Sequence, residues 1–320
     1  MNLALDSLTP SALVRRIAYR ILPYFFTPAK LAAYASEMLQ LPDCHDTSLA
    51  SVYCKGQLAK ISRPLIHYYD QLFEALSVRV REGRPFSVIR GGDGDGYFLQ
   101  GRAVGNIPTR QYTKAKDLSD VDLAPFREGF LKCDLRLVGM SRPNHRLFYD
   151  VYRRDVFSDI PAECLYALIA SRRLLKTSWR IGLIGNDHLL PIIQRLLEHS
   201  RYREYIGRSE FQDYIPVPQR GASNDPLALA EAIRTRLKDD VQVYLVGMGS
   251  AKMAVLHRLS ESSRAVFLDV GVCLQALAGV VSLTRRAYFG DWTNFRLRDY
   301  DYSEVDTMLA DMSPTAGVFL

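Results

Sequence analysis

From residue 85 onward the chain alternates short β-branched runs with longer amphipathic stretches, and this alternation limits the possible folds more than any other feature. The runs are "FSVIR" (86–90), "LRLVGM" (135–140), "RIGLIG" (180–185), "YIPVP" (214–218), "VQVYLVG" (241–247) and "AVFLDVG" (265–271). Between most of them lie "PAECLYALIASRRLL", "DHLLPIIQRLLEHS", "DPLALAEAIRTRLK" and "SAKMAVLHRLS", whose apolar residues recur at helical spacing. Parallel neighbours need a long crossover between them, and a helix is the usual one. Strands that are apolar almost throughout are those covered on both faces. The pattern therefore predicts an α/β, Rossmann-like fold: a mostly parallel sheet covered by helices.

The flanks read differently. Residues 1–84 predict a helical N-terminal extension, 85–284 the Rossmann-like domain, and 285–320 an irregular C-terminal extension rich in aromatic and charged residues. In the first flank, Thr27 and Pro28 have the types expected at a helix start. "RPLIHYYDQLFEALSVRVREG" repeats that start at Pro64 and stops at Gly83, a natural C-cap. "SALVRRIAYRILPYFF" sets Leu13, Ile17, Ile21 and Leu22 near one helical face, with Arg15, Arg16 and Arg20 on its polar side. Such a helix suits peripheral contact with an anionic membrane. The alternative is that it docks on the domain or on a second copy in a homo-oligomer.

Composition narrows the partners. A chain of 320 residues with 48% hydrophobic and 24% charged residues has the make-up of a globular protein. Its formal charge of +6 favours phosphate-bearing ligands or anionic surfaces. Without a basic tract, zinc-finger spacing or RNA-binding signature, nucleic acid is not the expected partner. The five cysteines are odd in number and scattered, which predicts reduced thiols in the cytoplasm. "MNLALDSLTPSALVRR" lacks the charge pattern of a secretory signal, and "GVCLQALAGVVSL" is too short to cross a bilayer.

In open parallel sheets, ligands bind beyond the carboxyl ends of the strands. The residues that follow each run are Gly91-Gly92-Asp93-Gly94-Asp95-Gly96, then Ser141-Arg142-Pro143-Asn144-His145, Asn186-Asp187-His188 and Gln219-Arg220-Gly221. The last two runs are followed by Met248-Gly249-Ser250 and closed by Asp269 and Gly271. Carboxylates, arginines, glycines and small hydroxyls thus collect at one sheet edge, as an anionic ligand requires. Asp93 and Asp95, one residue apart, would point to one side of an extended segment. There they would hold Mn²⁺ or Mg²⁺ together with ligand phosphates. A solvated glycine turn is the alternative, and the position directly after the first strand favours the metal.

"SVIRGGDGDGYFL" resembles the Arg-x-Gly-Asp-Gly-Glu signature of the GT-D-type glycosyltransferases. "VQVYLVGMGSAKMAVLHRLSESSRAVFLDVG" is similar to the second block of that family. Arg90, Gly92, Asp93 and Gly94 match the signature; Asp95 stands where the family has Glu, and Gly91 where it usually has Phe. The resemblance covers roughly residues 85 to 285. It implies a Rossmann-like fold, a nucleotide-sugar donor, and a divalent metal on Asp93 and Asp95; a glycan or lipid-linked glycan is the expected acceptor. Arg90, Gly92, Gly94, Arg142, Arg220, Gly247, Gly249, Ser250 and Asp269 are the residues expected to bind the donor.

The second block also fits another chemistry. Its Gly-x-Gly turn opens a helix, and Asp269 ends the next strand, as in a dinucleotide site. Lys252 occupies the place of the third glycine, where close helix–strand packing normally excludes such bulk. This ranks an NAD(P)-dependent enzyme below the transferase. Asp187 is a candidate general base, although Asn186 and Asp187 are also ordinary helix-capping residues. Arg285 and Arg286 could pair with phosphate. A non-enzymatic Rossmann-like protein that binds a nucleotide or a partner in glycan assembly is the remaining alternative, because Asp95 departs from the signature.

Overall fold

Among the described residues every strand pairing is parallel, and the strands lie in the order β2 (Leu135–Val138), β1 (Phe86–Gly91), β6 (Val266–Asp269), β5 (Val243–Gly247), β3 (Ile181–Asn186) and β4 (Asp213–Val217). This computed structural model describes residues 63–102, 121–139, 142–218, 221–279, 296–297 and 300–305. Each predicted run overlaps one of these strands, with ends that differ by at most two residues. The sheet is wholly rather than mostly parallel, and its central strands are almost entirely buried. That burial is why their sequences carry no alternation of polar and apolar residues.

Helices cover both faces. On one side lie α1 (Arg63–Glu82), α5 (Ala162–Ala170), α6 (Leu189–Leu196), α7 (Ser200–Ile206) and α10 (Val272–Leu277). On the other lie α2 (Asp93–Leu99), α3 (Ala124–Lys132), α4 (Arg142–Tyr152), α8 (Pro226–Arg234) and α9 (Lys252–Glu261). Tyr69, Leu72, Leu76 and Val80 of α1 recur at helical spacing and are buried in the first core. Helix α1 closes with Gly83 N–H on the Val80 carbonyl and Arg84 N–H on the Arg79 carbonyl, with Gly83 at φ +60°. That is the reciprocal C-terminal motif for which glycine is suited. Leu297, Tyr302 and Val305 of the C-terminal flank join the same core, and Tyr302 Oη accepts the Leu297 N–H at 2.9 Å.

Helices α2, α3, α4, α7 and α10 carried no clear signal in the sequence. The glycine-rich segment after β1 is a helix start, and the residues after β2 are the opening of α4. The expectations for Leu13, Arg15, Arg16, Ile17, Arg20, Ile21, Leu22, Thr27 and Pro28 lie outside the described residues. So do those for Arg220, Arg285 and Arg286. Among the described residues, no helix is long and apolar enough to cross a membrane.

Connections leave to opposite faces at four of the five neighbouring strand pairs, β2/β1 excepted. β1 leads into α2 on one face, while its neighbour β6 leads into α10 on the other. β5 leads to α9 and its neighbour β3 to α6, again on opposite faces. Chains that part in this way leave a crevice at the carboxyl edge.

Candidate functional site

The β1/β6 crevice is built from four charged side chains drawn from two distant parts of the sequence: Arg90 and Asp95, and Lys252 and Asp269. Parallel pairing of β1 with β6 carries Asp269 beside Arg90, whose backbone N–H donates to Asp269 Oδ2 at 3.1 Å. After β1, Gly91 passes so close to Phe148 and Phe157 that a Cβ would lie 2.7 Å from the Phe148 ring. Gly92 then caps α2, and Asp95, the third residue of that helix, accepts its N–H at 2.9 Å through Oδ2. This is the carboxylate half of a capping box.

Lys252 joins the two acids. It is the first residue of α9, reached from β5 through a short 3₁₀ turn (Gly249–Ala251) that packs on α2. Its Nζ lies 2.9 Å from Asp95 Oδ2 and 2.7 Å from Asp269 Oδ2. Asp95, Lys252 and Asp269 are 8%, 2% and 1% exposed, so this is an interior ion cluster rather than a surface bridge. Removing one member of such a cluster leaves an uncompensated charge in the interior and costs about 3–5 kcal/mol. Asp269 Oδ1 is also buried and has no hydrogen-bond partner.

Arg90 forms the partly exposed rim of the cluster. Its guanidinium lies over the Tyr166 ring, 5.1 Å from the centroid. A Cβ on Gly92 would stand 3.2 Å from Arg90 Nη1, and one on Gly271 would stand 2.9 Å from Arg90 Nη2. Gly271 also adopts φ +49°, a conformation glycine takes without strain. The arginine is therefore threaded between two residues that lack side chains.

The other half of the same edge is organised differently. Asn186 Oδ1 accepts the His188 and Leu189 N–H groups at 2.7 and 3.3 Å, which fixes the turn into α6. Asp187 and His188 are exposed and lie 3.7 Å apart. The strand β3 that carries them is two places from β6, roughly 10 Å away at the usual strand spacing. Asn186 holds two amides of the turn, but the residue at the N-cap of α6 is His188, and Asp187 stands apart from the cluster.

Of the residues expected at the site, Arg90, Gly92, Asp95 and Asp269 come together. Gly247, Gly249 and Ser250 line the neighbouring β5 turn, with Gly249 at φ +57° and Ser250 buried. A Cβ on Gly247 would meet Gly271 O at 3.1 Å, so the two turns are in contact. Arg142 opens α4. Gly94 lies in the first turn of α2, where its N–H donates to Asp93 Oδ1 at 2.8 Å. Lys252 was the residue missed: the sequence marked it only as too bulky for the third glycine of a dinucleotide turn.

The metal pair needs a correction. An extended segment would align Asp93 with Asp95, but these residues lie in a helix, where positions two apart diverge by about 200°. Asp93 faces solvent and Asp95 faces inward. The carboxylate that does face Asp95 is Asp269, and the Lys252 ammonium lies between them. Among the described residues, no group of three or more His, Cys, Asp or Glu side chains is placed to hold a metal ion. Asp93 and Asp95 do not face a common point in this helix, unlike the extended arrangement expected of them.

Among the described residues, thiol chemistry is disfavoured as well. Burial pushes Cys133 up to about 12, and holds Cys164 and Cys273 well above the ordinary thiol value. None of these three is an activated nucleophile. Comparison with protein-family models, with curated proteins and with solved structures finds no match.

Proposed function

We propose that the chain is a glycosyltransferase whose nucleotide-sugar donor lies in the β1/β6 crevice, against Arg90, Gly92 and the Gly247–Ser250 turn. One observation carries this reading. The two sequence blocks that resemble the GT-D-type glycosyltransferases meet in space through the contacts of Asp95 and Asp269 with Lys252 and the backbone bond from Arg90. The crevice also lies where connections part to opposite faces, the usual place for a nucleotide on such a sheet.

The roles follow from position. Arg90, held between Gly92 and Gly271, presents a planar cation suited to a diphosphate. The bare backbone at Gly249 allows close approach of a ligand to the turn. The acceptor, a glycan or lipid-linked glycan, would enter from the solvent side of the crevice.

A second reading has its own support. Asp95, Lys252 and Asp269 are so fully buried that they also suit a structural staple in a non-enzymatic nucleotide-binding protein. Incubation with a panel of nucleotide sugars, followed by chromatography of the released nucleotide, separates the two. Slow donor hydrolysis that Arg90→Ala reduces at least tenfold supports the transferase. Saturable nucleotide binding without turnover supports the second reading, and no response to any donor contradicts both.

A further inference from the structure

We propose that Lys252 is the resident cation of this site: its ammonium fills the position between Asp95 and Asp269 that a divalent metal would take, and the donor binds without a metal ion. The second half of this inference rests on the donor reading above; the first half does not.

The geometry carries the first half. Two carboxylate oxygens converge on one nitrogen at 2.9 and 2.7 Å, and each has a further fixed donor: Gly92 N–H on Asp95 Oδ2 and Arg90 N–H on Asp269 Oδ2. Those backbone bonds set where the acids point, so they would face each other with or without the lysine. Lys252 sits at the head of a helix whose following residues, Met253 to His257, are all buried. Its backbone is therefore fixed too, and the side chain is held in place rather than resting on a surface.

A metal added to this arrangement would meet an ammonium within 3 Å of both carboxylates. Like charges at such a distance repel strongly wherever water is scarce. The lysine supplies one positive charge where a metal would supply two, and Asp269 Oδ1 remains buried without a hydrogen-bond partner. That free oxygen marks an acid set with more acceptor capacity than its present cation uses.

The test is a Mn²⁺ titration read by electron paramagnetic resonance on the full chain, with no donor present. The parent protein is expected to show no Mn²⁺ site that Asp95→Asn removes. Lys252→Met and Lys252→Gln, the second retaining a neutral donor, are each expected to gain Mn²⁺ affinity on the order of tenfold or more. An Asp95-dependent Mn²⁺ site in the parent overturns the proposal, as does a folded Lys252 variant with no gain. If neither variant folds, the parent titration decides alone. Donor binding is then measured by calorimetry in excess chelator. Binding that appears only when Mn²⁺ is restored overturns the metal-free half. A protein that binds no nucleotide sugar with or without Mn²⁺ defeats the donor reading, and the metal-free half with it. The assignment of Lys252 as resident cation is then decided by the titration alone.

Discussion

The carboxyl edge of the sheet carries polar residues along both of its halves, and the two halves use them in opposite ways. Beyond β1 and β6, Asp95, Lys252 and Asp269 turn inward and satisfy one another across long stretches of sequence. Beyond β3, Asn186, Asp187 and His188 turn outward, and Asn186 is spent on the amides of its own turn. A polar residue after a strand says little by itself. What distinguishes the halves is whether its partner is local or distant: a local partner makes a cap, and a distant one makes a buried cluster that folding must assemble.

The comparison can be broken most forcefully at Lys252. Lys252→Met leaves two carboxylates facing each other in the interior and should cost about 3–5 kcal/mol. Asp187→Asn, across the edge, should stay within about 0.5 kcal/mol. Urea unfolding of both variants checks this; equal midpoints would mean that the cluster adds no more than an exposed acid does.

A smaller effect is expected at the glycine that frames the arginine. Gly271→Ala places a Cβ at φ +49° and against Arg90 Nη2. With ψ −114° this lies outside the left-handed helical well, where a side chain costs about 1–3 kcal/mol, and the displaced guanidinium should also weaken donor binding in calorimetry. Its counterpart on the other half is Asn186→Ala. Loss of those two turn bonds should cost about 1–2 kcal/mol while leaving donor affinity at the parent value. Two variants of similar stability but unequal affinity would sharpen the contrast between the halves.

The smallest effect concerns pH. His257 lies on the same helix as Lys252, buried against Gly129, and burial holds its pKa below the ordinary imidazole value. Glu261, Arg258, Lys132 and Glu128 are its charged neighbours. The unfolded chain therefore takes up the proton more readily than the folded one. The stability linked to this group is fully present above about pH 6.5, the unfolded value. It falls as pH drops from there through the lower folded value. His257→Gln should flatten the acid side of a plot of unfolding free energy against pH; an unchanged slope would assign it to other groups.

The sheet was legible in the sequence because its central strands are buried on both faces, which forces continuous apolar runs that few other structures require. Length does not explain the helices that were missed, since α4 is longer than α5, α6, α8 and α9, which were expected. Helix α2 opens Asp93-Gly94-Asp95-Gly96 and is held by the packing of Phe98 and Leu99, residues whose partners lie elsewhere in the chain. At the site, Arg90, Asp95 and Asp269 were legible as strand-end residues. Their spacing gave no hint that Asp93 would turn away, since that depends on the segment being helical rather than extended. Lys252 left one trace, as a long cation in a place suited to glycine. Its two acids come from the segments after β1 and on β6, and only the β1–β6 pairing brings them to it.

The central claim is that the β1/β6 crevice, with its own lysine as cation, receives the nucleotide sugar. Calorimetric titration of a nucleotide-sugar panel into chelator-treated protein tests it most directly, with Arg90→Ala alongside and Arg195→Ala as a distant surface control. The account predicts saturable binding of at least one donor, weakened tenfold or more by Arg90→Ala and untouched by Arg195→Ala. Binding that ignores Arg90, or that appears only when Mn²⁺ is restored, would contradict it.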